Sequence, residues 1–322
     1  MDFFNNIISY VSGLGSLELS YMFVIAFMFT LAIIDLTVGV SNDAVNFLSS
    51  AVGSRAAKIK HVLIVAAVGV FVGASFSSGM MDVARHGIFD PSFFTFQNVM
   101  CIYLAVVISD VFLLDLFNSL GLPTSTTVSM VFELLGASFI TALLSSSGQG
   151  LGMLNTDKAM TIIISIFLSV AIAFVFGLVV QWISRVIFTF HYKKNLGRKI
   201  GLYGGFASTA ILYFMVVKGL KGSSIKTMLP LAVQELVFED TTKFILCAFV
   251  VMTVLMQLLH WCKVNVLKIV VLMGTFSLAM AFAGNDLVNF IGVTLAGLES
   301  FQTLVANGGD INMTMGSLNL PA

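Results

Sequence analysis

Long runs of apolar residues constrain this chain more than any other feature. Several runs reach the roughly 20 residues that an α-helix needs to cross a lipid bilayer. We predict membrane spans over residues 21–40, 61–81, 99–117, 128–144, 161–190, 200–217, 243–261 and 269–283. Because a bilayer offers no water to backbone N–H and C=O groups, we expect every span to be helical. The apolar stretch 228–238 is too short to cross, so we expect it to lie at the interface or to re-enter.

Composition also indicates an all-α, polytopic membrane protein whose main partner is the lipid bilayer. Of the 322 residues, 58% are hydrophobic and 10% are charged, against roughly 25% charged residues in soluble domains. Mean hydropathy is +1.02. The formal net charge is zero and no basic tail is present, so we expect no nucleic-acid partner. The three cysteines, Cys101, Cys247 and Cys262, are scattered and predict neither a disulfide framework nor a metal cluster.

Two similar polar heptapeptides interrupt this apolar pattern. The first polar word is "SNDAVNF" at residues 41–47, and the second polar word is "GNDLVNF" at residues 284–290. The same residue occurs at five of the seven positions, with an offset of 286 − 43 = 243 residues. Such a repeat predicts a two-repeat transporter whose binding site lies near the middle of the membrane.

The residues of the polar words predict an ion site. No Lys or Arg occurs in residues 1–54 or 269–322, so Asp43 and Asp286 have no local basic partner. An unpaired carboxylate at membrane depth costs about 3 kcal/mol, and a bound cation is one counter-charge. We expect the helix to break at each word, which would expose carbonyl, amide and carboxylate oxygens to Na⁺. Asn46 and Asn289, three residues after each Asp, would then lie near the same face.

Other acidic residues also fall within or at the ends of the apolar runs, namely Asp35, Asp110, Asp115 and Glu133. Acidic residues at such depth usually face a polar cavity. The alternatives are a position among the lipid headgroups or a carboxyl that keeps its proton. The sequence leaves these alternatives open.

A hydroxyl-rich stretch supplies the second chemical feature. The sequence "GLPTSTT" at residues 121–127, called the hydroxyl word below, has four consecutive hydroxyl residues after Pro123. One hydroxyl is enough to cap the following helix. Four hydroxyls beside first-turn amides predict a neutral cradle for an anion. Because Pro removes a backbone donor and restrains the residue before it, we expect a break here and a helical hairpin, re-entrant in form, over 99–144.

Together, the two polar words and the hydroxyl word resemble the signatures of the inorganic phosphate transporter (PiT) family, and the resemblance spans the chain. It implies inverted repeats and a Na⁺-dependent phosphate symporter, with Na⁺ as the co-transported ion and no organic cofactor. It leaves a homodimer open. By position, phosphate would contact Ser125, Thr126, Thr127, Asn46, Asn289, Asp43 and Asp286. Na⁺ would be held by Asn42, Asp43, Asn285, Asp286 and Thr124.

The chain departs from the family pattern at three points. It has Val40 and Ser41 where the family prefers Gly-Ala. Val128 stands where the family usually has His. A second hydroxyl word, expected near position 125 + 243 = 368, is not among the 322 residues, so we expect a truncated chain or a missing second hairpin. The expected organisation is a lead-in over 1–20, a first repeat over 21–199, connecting helices over 200–268 and the start of a second repeat over 269–322.

These features predict a secondary active transporter that takes up phosphate with Na⁺ by alternating access, rather than an enzyme. An intramembrane enzyme would need a buried nucleophile with a base such as His, but the four histidines fall at predicted span ends or in loops. The open alternatives are an H⁺-coupled phosphate or sulfate permease, an anion channel and a purely structural subunit. A multi-pass protein of the cell membrane is expected, and a bacterial inner membrane is favoured.

Overall fold

The computed structural model describes residues 15–75, 93–144, 156–188, 192–218, 230–308, 311–312 and 314–315. Nearly all of these residues are helical, and the β-structure in these ranges is an isolated bridge between Thr95 and Thr314. The α-helices are α1 Ser16–Gly53, α2 Ile59–Ser75, α3 Phe96–Ser119, α4 Thr126–Leu144, α5 Thr156–Phe188, α6 Tyr192–Tyr213, α7 Leu231–Gln234, α8 Thr241–Trp261 and α9 Val266–Ala306. Short π-helices follow α6 at Phe214–Lys218 and α7 at Glu235–Glu239.

Seven helices in the described ranges are long and apolar enough to cross a membrane, and these are α1, α3, α4, α5, α6, α8 and α9. Helix α5 shows the expected lipid-facing character most clearly, because large side chains such as Phe167 and Trp182 are exposed along it. An apolar helix with so much exposed surface would not be stable in water and needs lipid around it. The prediction of an all-α polytopic membrane protein is therefore confirmed.

The prediction that the helices break at the polar words is wrong. Helix α1 continues through residues 41–47 and α9 continues through 284–290. Neither word contains Pro, and the described residues with positive φ lie outside both words. The amide of Asn42 bonds to another segment and that of Asn46 bonds to a side chain, so neither competes for the backbone of its own helix. Polar residues ended the apolar runs without ending the helices.

The chain forms two compact units, which are described separately. Unit 1 consists of Met1–Asn42, Met80–Ile163 and Val288–Ala322. It contains the helical hairpin of α3 and α4, as predicted from the break at Pro123. Its core is formed by buried side chains that include Met28, Phe96, Met130 and Leu304. These side chains come from α1, α3, α4 and α9, so the hairpin is packed into the centre of this unit.

Unit 2 consists of Asp43–Gly79 and Ile164–Leu287. In this unit, glycines bring helices into close contact. A Cβ atom at Gly69 or Gly73 of α2 would overlap the α9 backbone near Phe276 and Met280. Glycines also line α6 at residues 201, 204 and 205, where an added Cβ would overlap α8 side chains and, at residue 204, Val266 of α9. Lipid provides no hydrophobic driving force for helices to associate. Such pairs are therefore held by van der Waals packing at small residues that allow close backbone approach.

Candidate functional site

The hydroxyl word begins with a well-formed helix end. Gly121 follows α3 with φ of +66°, a conformation that glycine adopts without strain. Its N–H donates to Asn118 O at 3.1 Å, and the N–H of Leu122 donates to Phe117 O at 2.9 Å. This pair of bonds defines a Schellman motif, which satisfies carbonyls that the helix end would leave unpaired. Pro123 then prevents the helix from continuing, and the chain turns towards α4.

Ser125 caps α4. Its Oγ accepts a long hydrogen bond from the backbone N–H of Val128 at 3.5 Å, three residues along the chain. This is the N-cap geometry expected of one residue in the hydroxyl word. Ser125 is exposed, and a hydroxyl that accepts from a backbone N–H can still donate its own hydrogen. The capping role is therefore compatible with hydrogen bonding to an anion.

Asn42 of the first polar word holds the turn before α4 in place. Its Nδ2 donates to Leu122 O at 2.9 Å, and its Oδ1 accepts from the backbone N–H of Thr124 at 3.1 Å. One amide group thus binds the backbone on both sides of Pro123. The sequence predicted Asn42 as a Na⁺ ligand and gave no sign of this contact, because it depends on where α1 lies beside the turn.

Asn289 of the second polar word reaches the same hydroxyl word. Its Nδ2 donates to Thr127 Oγ1 at 2.9 Å and lies 3.4 Å from Thr126 Oγ1. Asn289 and Thr126 are both buried. A threonine hydroxyl that accepts from an amide can direct its own hydrogen elsewhere, so this contact orients the hydroxyls as donors. Unit 1 therefore brings together Asn42, Thr124, Thr126, Thr127 and Asn289.

The remaining residues of the first polar word belong to unit 2. Asp43 is buried, with 4% of its surface exposed, and its Oδ1 accepts from Nδ2 of Asn46 at 3.2 Å. The two side chains therefore lie on one face of α1, as their spacing predicted. Asn46 itself is exposed. The side chains of Asn285 and Asp286 lie outside the described residues, although α9 is helical there.

The final Phe of each polar word is also part of the packing. In unit 1, a Cβ on Gly39 would overlap the ring of Phe290, so that glycine makes room for the ring. In unit 2, Phe47 packs against Phe282 with ring centroids 5.4 Å apart. Residues 39 and 282 are equivalent under the repeat, since 39 + 243 = 282. Sequence reasoning missed both contacts, although the repeat offset could have paired these positions.

A buried group of acids lies deeper in unit 1. Ser129 Oγ lies 2.7 Å from Asp110 Oδ1 and 2.8 Å from Glu133 Oε1. The carboxyl groups of Asp35 and Asp110 are also in hydrogen-bond contact. The sequence identified these three acids individually, but it did not predict that they meet. Asp115 differs from them, because its side chain is exposed on α3.

The fold and the site define the class of protein. It is a multi-span α-helical membrane protein whose polar residues converge on a hydroxyl-rich helix start, as in membrane transporters. The model of the phosphate transporter family matches residues 39–318. The chain therefore belongs to the phosphate transporter family, and the resemblance stated from the sequence is confirmed. This is a family of transporters rather than of enzymes.

Curated relatives agree with this assignment. The chain is 31% identical over 190 residues to a protein of Pyrococcus horikoshii described as a phosphate permease, covering 58% of this chain and 45% of that protein. It is 29% identical over 147 residues to a protein of Bacillus subtilis described as a low-affinity inorganic phosphate transporter, covering 46% and 41%. The matched part thus spans less than half the length of these relatives.

A solved structure has a similar fold. It is titled as the sodium-dependent phosphate transporter, and it aligns with a TM-score of 0.66 at 18% identity. The alignment covers 92% of this chain and 75% of that chain. At this identity the likeness establishes the fold.

Proposed function

We propose that the full-length protein is a secondary active transporter that takes up inorganic phosphate together with Na⁺ by alternating access, in the bacterial inner membrane. Family membership supports phosphate as the substrate. The name of the structural relative supports Na⁺ as the coupling ion. The observation that carries the proposal is that Asn42 and Asn289, one from each polar word, both hydrogen-bond to the hydroxyl word.

Phosphate is proposed to bind at the start of α4. First-turn N–H groups and the positive end of the helix dipole attract an oxyanion there. The hydroxyls of Ser125, Thr126 and Thr127 add donors, and Asn289 orients two of them. Selectivity for phosphate over sulfate would come from hydrogen-bond acceptors of the protein. A protonated phosphate oxygen can donate to a carboxylate such as Asp43, whereas sulfate has no proton to donate at neutral pH. Asp286 and Asn46 complete the proposed phosphate set.

Na⁺ is proposed to bind at oxygens of the polar words. The proposed ligands are Asn42, Asp43, Asn285, Asp286 and Thr124. A hard cation prefers such oxygen ligands. An anion entering against an inside-negative potential costs about 2.3 kcal/mol per charge per 100 mV, so co-binding of Na⁺ offsets the charge and couples uptake to the Na⁺ gradient. Helix α1 carries no Lys or Arg that could do this instead.

Uptake of radiolabelled phosphate into proteoliposomes that contain the full-length protein tests the proposal. We expect uptake that requires an inward Na⁺ gradient and resists excess sulfate. Uptake driven equally well by a proton gradient with K⁺ in place of Na⁺ would identify an H⁺-coupled permease. Competition by sulfate would identify a sulfate permease, and flux that never exceeds equilibrium would identify a channel. Each of these results contradicts the proposal.

Matched carboxylate variants test the residue assignment. Asp43→Asn is expected to lower Na⁺-dependent uptake by about 100-fold, as for loss of a charged ligand worth about 3 kcal/mol. Asp115→Asn is the control, since Asp115 is an exposed acid outside the proposed site. Equal uptake by both variants, with both proteins folded, would remove Asp43 from the site.

A further inference from the structure

The acidic group in unit 1 is separate from the residues proposed to bind phosphate and Na⁺. It joins Asp35 of α1, Asp110 of α3 and Glu133 of α4 around Ser129. We call these four residues the carboxyl cluster. Asp35 and Asp110 are 1% and 4% exposed. The helices that carry the cluster contain no Lys, Arg or His. Three negative charges at this depth would therefore have no cationic side chain on their own helices.

Hydrogen counting shows that the carboxyl cluster retains protons. Three hydrogen-bond contacts link its members: Ser129 to Asp110, Ser129 to Glu133, and Asp35 to Asp110. Each contact needs one hydrogen, and an ionised carboxylate can only accept. The Ser129 hydroxyl supplies one hydrogen, so the carboxyl groups must supply the other two. Separations of 2.7 and 2.8 Å between oxygens are typical of such O–H···O bonds.

Two further oxygens in the cluster give it capacity for another proton. Oδ1 of Asp35 and Oε2 of Glu133 are buried atoms with no hydrogen-bond partner among the described residues. The Asp35 side chain is almost completely enclosed and is in contact with Asp110, so its unpartnered oxygen belongs to the cluster. Two protons among three carboxyl groups leave one buried negative charge, and an added proton would remove the cost of keeping that charge away from water.

A metal ion fits this cluster less well than a proton does. In the part of the chain that the structure describes, no three His, Cys, Asp or Glu residues are arranged to hold a metal ion. The hydrogen-bond and electrostatic partners of the three carboxyls are one another and Ser129. The other titratable residues on the described helices of unit 1 are Glu18, Tyr21, Cys101, Tyr103, Asp115, Asp157, Lys158 and Glu299, and the side chain of Lys158 lies outside the described residues.

The position of Ser129 links the cluster to the hydroxyl word. Thr126 and Ser129 are three residues apart on α4, so they share a face of the helix, and both are buried. Thr126 lies against Asn289, and Ser129 lies against two carboxyls. A change in cluster charge would therefore act on the helix whose first turn is proposed to bind the anion.

We propose that Asp35, Asp110, Glu133 and Ser129 form an intramembrane proton-binding site, and that gain or loss of its exchangeable proton makes phosphate uptake sensitive to pH. The site makes no use of the Na⁺ ligands proposed above. It would tune the rate of Na⁺-coupled uptake through α4.

Infrared spectroscopy of the reconstituted protein tests the bound protons directly. At about pH 7, where isolated Asp and Glu are ionised, we expect a carbonyl stretch from protonated carboxylic acid that shifts in D₂O. Asp110→Asn and Glu133→Gln should each reduce this band, and Asp115→Asn, at an exposed site on α3, should leave it unchanged. Absence of the band in the wild type, or no change in either cluster variant, would overturn the proposal.

The pH profile tests the functional part. Between about pH 6 and pH 9 the wild-type uptake rate should change by at least about threefold, and the Glu133→Gln profile should be flatter. Identical profiles would overturn the coupling to uptake. Because the infrared measurement needs no transport, failure of the proposed phosphate activity would be distinguishable from failure of the proton site. Size-exclusion chromatography and helix content would confirm that each variant folds.

Discussion

The two polar words have nearly the same sequence but make different contacts. In the first word, the second residue, Asn42, binds the backbone on both sides of Pro123. In the second word, the sixth residue, Asn289, binds the Thr127 hydroxyl at the start of α4. The sixth residue of the first word, Asn46, is exposed and donates to Asp43 instead. The same motif thus positions a turn in one copy and orients a hydroxyl in the other.

This difference shows how a repeated motif can build one site from non-equivalent positions. The hydroxyl word needs both a fixed backbone and oriented hydroxyls, and each polar word supplies one of these. Their final Phe residues follow the repeat more closely, because Phe290 packs at Gly39 and Phe47 packs at the equivalent Phe282. Packing therefore preserves the repeat where hydrogen bonding does not.

The largest effect is expected from filling the space at Gly39. Gly39→Ala places a Cβ against the buried Phe290 ring and should lower the free energy of unfolding by about 2 kcal/mol. Gly274→Ala in α9 is the matched control, since nothing lies within 4 Å of its Cβ position, and it should gain up to about 1 kcal/mol from helix propensity. Unfolding in mixed detergent–SDS micelles measures both. Equal effects would show that the Phe290 contact does not constrain α1.

The next effect separates the two Asn positions of the first word. Asn42→Ala removes two hydrogen bonds to the turn and should cost about 1.5 kcal/mol, at about 0.75 kcal/mol for each bond. Asn46→Ala removes one bond at an exposed position and should cost below about 0.5 kcal/mol. The same unfolding assay applies. If Asn46→Ala lost more stability than Asn42→Ala, the assignment of Asn42 as the amide that positions the turn would be contradicted.

A smaller effect concerns the second word. Thr127→Val removes the acceptor for Asn289 and should cost about 1 kcal/mol, and it should raise the KM for phosphate about tenfold. Thr127→Ser keeps the hydroxyl and should remain close to the wild type. Proteoliposome uptake over a range of phosphate concentrations gives KM and kcat separately. If valine and serine behave alike, the Thr127 hydroxyl has no part in binding.

Within the hydroxyl word, the smallest effect on stability is expected at Ser125, the cap of α4. Ser125→Ala should cost roughly 0.5 kcal/mol, the low end for caps, because its bond to Val128 is long. Ser125→Asp restores a cap but places a negative charge where the anion is proposed to bind, so stability should recover while phosphate uptake falls. Recovery of both by Asp would show that Ser125 only caps the helix.

Much of the fold was predictable, because apolar runs report directly on which segments can lie in lipid. Seven of the spans expected from these runs match helices long enough to cross. The apolar runs did not predict where the helices end. Helix α1 extends to Gly53 beyond the run 21–40, and α9 covers Val266–Ala306 around the run 269–283. A polar residue lowers local hydropathy but leaves backbone hydrogen bonds intact, so hydropathy alone cannot locate a break.

The site was predictable in its members more than in its contacts. Four hydroxyls after Pro123 indicated both a cap and a cradle, and Ser125 does cap α4. The bonds of Asn42 and Asn289 depend on how α1 and α9 lie beside the α3–α4 turn, which no local pattern encodes. The same reason hid the meeting of Asp35, Asp110 and Glu133, which are contributed by three different helices. Only their individual positions within or at the ends of apolar runs were visible beforehand.

The contact between Gly39 and Phe290 also has a consequence for biosynthesis. The two residues are separated by 290 − 39 = 251 positions, whereas Asn42 and Leu122 are separated by 122 − 42 = 80. At synthesis rates of roughly 5–20 residues per second, Leu122 follows Asn42 after about 4–16 s and Phe290 follows Gly39 after about 13–50 s. Helix α1 can therefore contact the hairpin through Asn42 before Phe290 of α9 has been synthesised to pack at Gly39.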